Sequence, residues 1–315
     1  MQTRTLGNTG LEVSILGFGG APLGDEYGNI TESEGAAALH AALDAGINFI
    51  DVAPYYGRTL AEERLGRALE GRRDEVVLAT KCCRYDVRGF DFSAKRVHSD
   101  IDDCLRRLRT DYLDLFQIHD VEFGTRQQVL EEALPAMLEV KQSGKARAIG
   151  ITGLAVHTLR DLAEAFEGVD TILSYCHYNL MIDDLVDVVL PLADERGIGI
   201  INASPLHMGI LTASGPQPWH PAPEAVKETG MAVARLCEER GKSVVEVALR
   251  FVLDHEGIAT TLCGMKNPSE VAQNLQILDQ ASDPALLEEI AALVAPVKNQ
   301  TWHEGLPENT PPSLA

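Results

Sequence analysis

The sequence predicts an α/β protein with the topology of a (β/α)8 TIM barrel, opened by an N-terminal β-hairpin and closed by an irregular C-terminal tail. Eight short apolar runs rich in β-branched residues are spread along the 315 residues. Between them lie segments with apolar residues at helical spacing, such as SEGAAALHAALDAG and DDLVDVVLPLADERG. The strand runs are nearly continuous in their apolarity, as strands are when crossover helices cover both faces. Eight strand–helix units over roughly 250 residues match the size of such a barrel, so one domain spanning 1–315 is expected.

The first residues, RTLGNTGLEVSILG, place two short apolar runs around Asn8-Thr9-Gly10, the pattern of a hairpin that plugs the barrel's N-terminal end. The strands are expected at 14–20, 48–53, 75–82, 112–120, 146–152, 171–178, 198–205 and 258–264. Thr59 and Glu62 have the spacing of a capping box opening the helix after the second strand. Gly46 and Gly197 stand where helix C-caps belong. The last twenty residues lose periodicity and gain proline, which suits a loop over the mouth of the barrel. A Rossmann sheet is the competing architecture, but GFGGAPLG lacks the GxGxxG spacing and puts Pro22 where a phosphate-binding helix should be under way.

Composition narrows the function. The net charge of −20 opposes binding to nucleic acid or to anionic lipid, so neither partner is expected. No apolar run approaches the ~18 residues that cross a membrane, and the first residues lack the pattern of a secretion signal. A cytoplasmic protein, monomeric or weakly homo-oligomeric, is expected. The six cysteines show no zinc-ligand spacing and no metal site is expected; Cys82 and Cys83 read as buried small side chains.

In a barrel of this kind the C-terminal strand ends share one face, where chemistry collects. Asp51 ends the second strand with Tyr56 in the loop beyond; Lys81 ends the third and His119 the fourth. A phenol titrates near 10 and is a poor base at neutral pH. An adjacent ammonium stabilises the phenolate, so Lys81, held by Asp51, is expected to lower the Tyr56 pKa. His119 can hydrogen-bond the reacting oxygen. The quartet suits proton exchange with a hydroxyl while a cofactor takes the hydride, which no side chain accepts.

These residues lie in DVAPYYG, ATK and QIHD, and with GITG, SPLHMGILT and GMKNPSEVAQN they make the chain resemble the aldo-keto reductases over essentially its whole length. The resemblance implies that Asp51, Tyr56, Lys81 and His119 are the catalytic tetrad and that a nicotinamide dinucleotide lies across the strand ends. Thr152 and Gly153 stand where Ser-Asn is usual, Tyr175 where glutamine is usual, and Ser204, Leu206 and Gly209 are expected beside the pyrophosphate. Gly264 and Glu270 occupy positions that hold a lysine and an arginine in members using NADP. A glutamate repels a 2′-phosphate and accepts from a free ribose hydroxyl, so NAD is expected over NADP, with Lys266 pointing the other way. Gln273 and Asn274 are candidates for the adenine.

Further stretches, among them FDFSAKRV, LSYCHYN, WHPA and PVKNQTW, are similar to the NAD-dependent aldose 1-dehydrogenases. That implies oxidation of an aldose of the L-galactose, L-fucose or D-arabinose type at C1 to the aldonolactone. Trp219, His220, Trp302 and His303 are candidates for the sugar, since indoles pack on C–H surfaces and imidazoles bond hydroxyls. Asp120 and His207 are expected near the mouth, and His177 inside the sixth strand. A non-sugar substrate such as pyridoxal, and a non-enzymatic nucleotide-binding subunit, are the alternatives.

Overall fold

A computed structural model describes residues 1–26 and 28–310. The eight expected strands all form: β3 (Leu16–Gly19), β4 (Phe49–Asp51), β5 (Val77–Cys82), β8 (Leu113–Ile118), β9 (Ala146–Gly153), β10 (Thr171–Tyr175), β11 (Gly199–Ala203) and β12 (Thr260–Gly264). All pair in parallel and close a barrel in sequence order, β12 returning to β3. Helices including Glu32–Asp44, Ala94–Leu108, Val156–Ala165 and Pro268–Leu278 follow the strands. No helix among the described residues is long and apolar enough to cross a membrane.

The remaining strands make two antiparallel pairs. β1 (Thr3–Thr5) and β2 (Glu12–Ser14) form the expected N-terminal hairpin, and β6 (Arg84–Asp86) pairs with β7 (Gly89–Phe90) directly beyond β5. Leu6, Leu11 and Val13 of the first hairpin pack among Phe49, Ala79, Leu115, Ala148, Leu173, Ile201 and Leu262, which fill the barrel interior. The plug therefore closes the end at which the strands begin. Its Asn8 N–H donates to Gly197 O at 2.8 Å. Strand 14–20 is shorter than expected at both ends, because Ser14 pairs with Thr3 and the Gly20 N–H turns to donate to Asp51 O.

Strand alternation sets the chemistry. With Phe49, Ala79, Leu115 and Ala148 pointing inward, steps of two along the same strands direct Asp51, Lys81, His119 and Thr152 inward at the far end. Thr80 faces outward, and there the structure corrects one expectation. Thr59 is left-handed (φ 79°) and makes no capping hydrogen bond to the helix Leu60–Ala68. Glu62 is fully buried instead, accepting from Thr80 Oγ1 at 2.6 Å and from Arg107 Nε at 2.5 Å. Capping boxes do form at Thr31/Glu34 and Ser243/Glu246, where the cap residue is extended. Gly46 and Gly197 adopt the left-handed geometry expected just after helices (φ 87° and 68°).

The Glu62–Arg107 pair ties two outer helices to the strand that carries Lys81. Removing one partner strands a buried charge, which typically costs about 3–5 kcal/mol. Arg107→Met is expected to lower unfolding stability by about that amount, read from the denaturant midpoint, with unchanged slope. A loss under about 1 kcal/mol would show that water reaches the pair there.

Candidate active site

Lys81 stands at the centre of the mouth with 1% of its surface exposed. An ammonium has three protons, and each has an acceptor. Lys81 Nζ donates to Asp51 Oδ1, to Val52 O at 3.1 Å and to Tyr56 Oη at 3.4 Å. Gln117, one inward position below His119, donates from Nε2 to the other Asp51 oxygen at 2.9 Å. Tyr56 reaches this group because the chain turns sharply after β4. The Tyr56 N–H donates to Ala53 O, the Thr59 N–H to Pro54 O, and Arg58 and Thr59 adopt positive φ. His119 completes the group, its ring edge-on to Tyr56 at 6.0 Å and to Tyr55 at 5.9 Å.

Burial dominates the electrostatics. It raises the Asp51 carboxyl above its usual range, with Lys81 and Gln117 opposing. For Lys81, burial pulls downward, but Asp51 and Tyr56 together outweigh it and the ammonium is held above its ordinary value. Burial, followed by the charges of Lys81 and Arg84, pushes His119 well down, so its imidazole is neutral at pH 7. Tyr56 departs from the sequence expectation: Lys81 does favour the phenolate, yet burial is the larger effect and raises the phenol above 10.

The chain leaves four strand ends through left-handed residues, at Cys83, Asp120, Cys176 and Ser204 (φ 71°, 51°, 63° and 55°). Such conformations are costly outside glycine and cluster at functional sites. The Cys176 turn ends β10 at Tyr175, so His177 lies beyond the sixth barrel strand rather than inside it. His177 is buried, its Nδ1 bonded to Asp184 at 2.7 Å. Cys82 and Cys83 are buried with free thiols, as expected.

Residues 15–295 match the model of the Aldo/keto reductase family. The chain belongs to the aldo/keto reductase family. It is 42% identical to L-galactose dehydrogenase of Arabidopsis thaliana, over 98% of this chain and 99% of that one. It is 29% identical to D-threo-aldose 1-dehydrogenase of a Pseudomonas species, covering 85% and 90% of the two chains. The holo form of an aldo-keto reductase from Bacillus halodurans superposes with a TM-score of 0.78 at 28% identity, covering 96% of this chain and 99% of that one. The chain is thus an oxidoreductase of this family acting on CH–OH groups.

The cofactor candidates ring the same mouth. Thr152 is buried at the end of β9, where its Oγ1 accepts from the Asp120 N–H at 3.2 Å. Gly153 follows it, Tyr175 ends β10 half-buried, and Ser204, Leu206 and Gly209 lie in the loop after β11. That loop is strained, with His207, Met208 and Gly209 consecutively left-handed. Gly264 is exposed at the end of β12. Glu270 lies in the first turn of Pro268–Leu278 and accepts from the Lys266 N–H at 2.8 Å, while Asn267 caps the helix, its Oδ1 accepting from the Glu270 N–H. Gln273 is exposed, and Asn274 is buried with its amide on Cys263 Sγ.

Of the sugar candidates, His220 is corrected to an anchoring role. Its Nε2 bonds His207 O and its Nδ1 accepts from the Ala222 N–H, so neither ring nitrogen is left for a hydroxyl. Trp302 is buried edge-on to His207 and His220, its indole N–H donating to Glu304 Oε1 at 3.1 Å. Trp219 is 57% exposed and stacks on His220. His303 is exposed, against Thr310. His207 is fully buried and held down to about 3 by burial and by His220 and His177; its Nδ1 bonds Asn179, while Nε2 has no partner among the described residues. Asp120 is buried on Arg84 and 3.8 Å from His119 Nε2.

Sequence reasoning missed Glu122. Its Oε1 accepts from the Leu154 N–H at 2.8 Å, and its backbone O accepts from the Leu306 N–H and from Asn309 Nδ2. A Cβ on Gly153 would stand 2.2 Å from Glu122 Oε2, so the bare glycine makes room for this carboxyl. The tail thus clamps the loop that carries His119, as its expected place over the mouth required; residues 311–315 lie outside the described residues. Burial, then the Asp120 charge, raises the Glu122 carboxyl well above its usual range. A folded pKa above the unfolded one stabilises at low pH, and that stability is lost as pH rises through the folded value. The thermal midpoint of Glu122→Gln is therefore expected to gain on wild type as pH is raised from 5 to 9. Parallel curves would show that Glu122 does not change its protonation on folding.

Proposed function

We propose that this chain is an NAD-dependent aldose 1-dehydrogenase, with Asp51, Tyr56, Lys81 and His119 as its catalytic residues. The observation that carries the reading is the enclosed Lys81 ammonium, shared between the Asp51 carboxylate and the Tyr56 hydroxyl beside a neutral imidazole. The relatives named for L-galactose and D-threo-aldose support a cyclic aldose as substrate and the C1 hydroxyl as the group oxidised to the lactone.

The nicotinamide cofactor supplies the hydride acceptor when bound. The protein's part is the proton. Tyr56 oxygen takes the C1-hydroxyl proton, and Lys81 stabilises the phenolate that makes this possible. Asp51 fixes Lys81, and neutral His119 orients the reacting oxygen without competing for its proton. Thr152, Gly153 and Tyr175 fit the nicotinamide end by their place around the tetrad, the strained Ser204–Gly209 loop fits the pyrophosphate, and Gln273 and Asn274 fit the adenine end. Glu270 supports NAD over NADP. From the first turn of Pro268–Leu278 its carboxylate already holds the Lys266 N–H, putting negative charge where a helix N-terminus would otherwise favour a phosphate. The expected absence of nucleic-acid and membrane partners fits the same reading.

NADH formation at 340 nm is the test, run against L-galactose, L-fucose, D-arabinose, D-glucose and pyridoxal with each cofactor. At least tenfold higher kcat/KM with NAD than NADP, on one of the first three sugars, is expected. Turnover of pyridoxal alone would overturn the sugar assignment. Tyr56→Phe is expected to lose about 10²–10⁴-fold in kcat while still quenching its fluorescence on NAD binding. Because Tyr56 is raised rather than lowered, oxidation is expected to accelerate steadily from pH 7 toward 10. A rate flat over that range would place the proton acceptor elsewhere.

A further inference from the structure

Arg84 follows the two cysteines after Lys81 and is the first residue of the β6–β7 hairpin. Its guanidinium is stacked 3.8 Å over the Tyr55 ring, with Phe90 and Phe123 at 5.1 and 5.7 Å. Nη1 donates to Asp120 Oδ2, and among the described residues the guanidinium has no other acceptor, the enclosed Nε included. The side chain keeps 13% of its surface open, against 3% for Asp120. A guanidinium carries five donors in a rigid fork, so one bond leaves most of its capacity unspent. A carboxylate likewise accepts more than one bond.

The pair is also well placed. Asp120 Oδ2 is 3.8 Å from His119 Nε2, and the Tyr55 ring packs against both the Arg84 guanidinium and the His119 imidazole. Asp120 is left-handed (φ 51°) with its N–H fixed on Thr152, so its direction is set by the backbone. Taking two charges out of water for a single mutual bond is a poor route to stability. It is a good route to recognising a ligand that offers both acceptors and donors.

Resting on the aldose reading above, we propose that Arg84 and Asp120 together bind the hydroxyls next to the reacting carbon of the sugar, Arg84 donating to one and Asp120 accepting from its neighbour. The pair is a specificity device: a substrate lacking those hydroxyls leaves both charges underbonded at the moment water is excluded.

The test compares the preferred aldose with its 2-deoxy and 3-deoxy counterparts in wild type, Asp120→Asn and Arg84→Met. Wild type is expected to prefer the parent sugar by at least tenfold in kcat/KM. Each variant is expected to lose, chiefly through KM, the preference over the one deoxy sugar that lacks the hydroxyl its own residue binds, with that deoxy sugar changed little. Equal losses on the parent and on both deoxy sugars in each variant would overturn the proposal and leave the pair a fastener for the β6–β7 hairpin. If either variant fails to fold, Arg84→Lys keeps the charge without the fork and is expected to lose the preference in part; an intact preference overturns the proposal. Should wild type oxidise no aldose, the reaction assigned above fails by itself, and calorimetry decides the pair. L-galactose binding that is weakened at least tenfold by Arg84→Met supports it, whereas equal binding or none overturns it.

Discussion

A charged ammonium with 1% of its surface exposed is the constraint on which the rest of this structure depends. Buried charge is tolerated only when paired and fully hydrogen-bonded. Lys81 meets that condition through three elements at once: the end of β4, the turn beyond it and the strand it rises from. The bond from Gln117 to Asp51 adds a fourth, β8, so adjacent strands of the barrel are linked across their ends by one polar group. The registers of β4, β5 and β8 are therefore tied to the same ion pair that defines the candidate chemistry.

Behind that group lies a second buried pair of opposite character. Glu62 and Arg107 are joined through Thr80 to the outward face of the strand whose inward face carries Lys81. Cys104 Sγ also approaches Lys81 O at 3.7 Å. The inner ion pair touches the Tyr56 phenol, and the outer one touches Thr80 instead. Burial acts on both, and the Tyr56 that the inner one touches is half-buried.

Much of this was legible in the sequence, for physical reasons that differ by residue. The eight strands stood out because two covered faces make each an apolar run. Asp51, Lys81 and His119 stood out because strand ends of a barrel share one face. What could not be read are outcomes of three-dimensional enclosure. Thr59 and Glu62 have capping spacing, yet a left-handed Thr59 turns the cap away and the helix face buries Glu62. The direction of the Tyr56 shift is a contest between Lys81 and burial, and only the surroundings decide it. His220 looks like a free imidazole until both nitrogens are seen to be spent on backbone groups. Glu122 carries no motif; the signal available was the glycine at 153, whose missing side chain is the space Glu122 fills.

The two chain ends serve opposite poles. The N-terminal hairpin seals the floor beneath the interior layer of Phe49, Ala79 and Leu115, while the tail through Asn309 grips the loop over the mouth. A surface tether or fusion partner joined at Met1 would thus leave the opening facing free solution. The same cargo joined behind the tail would load the strap that steadies His119, so the choice of attachment end is also a choice about how firmly the site is held.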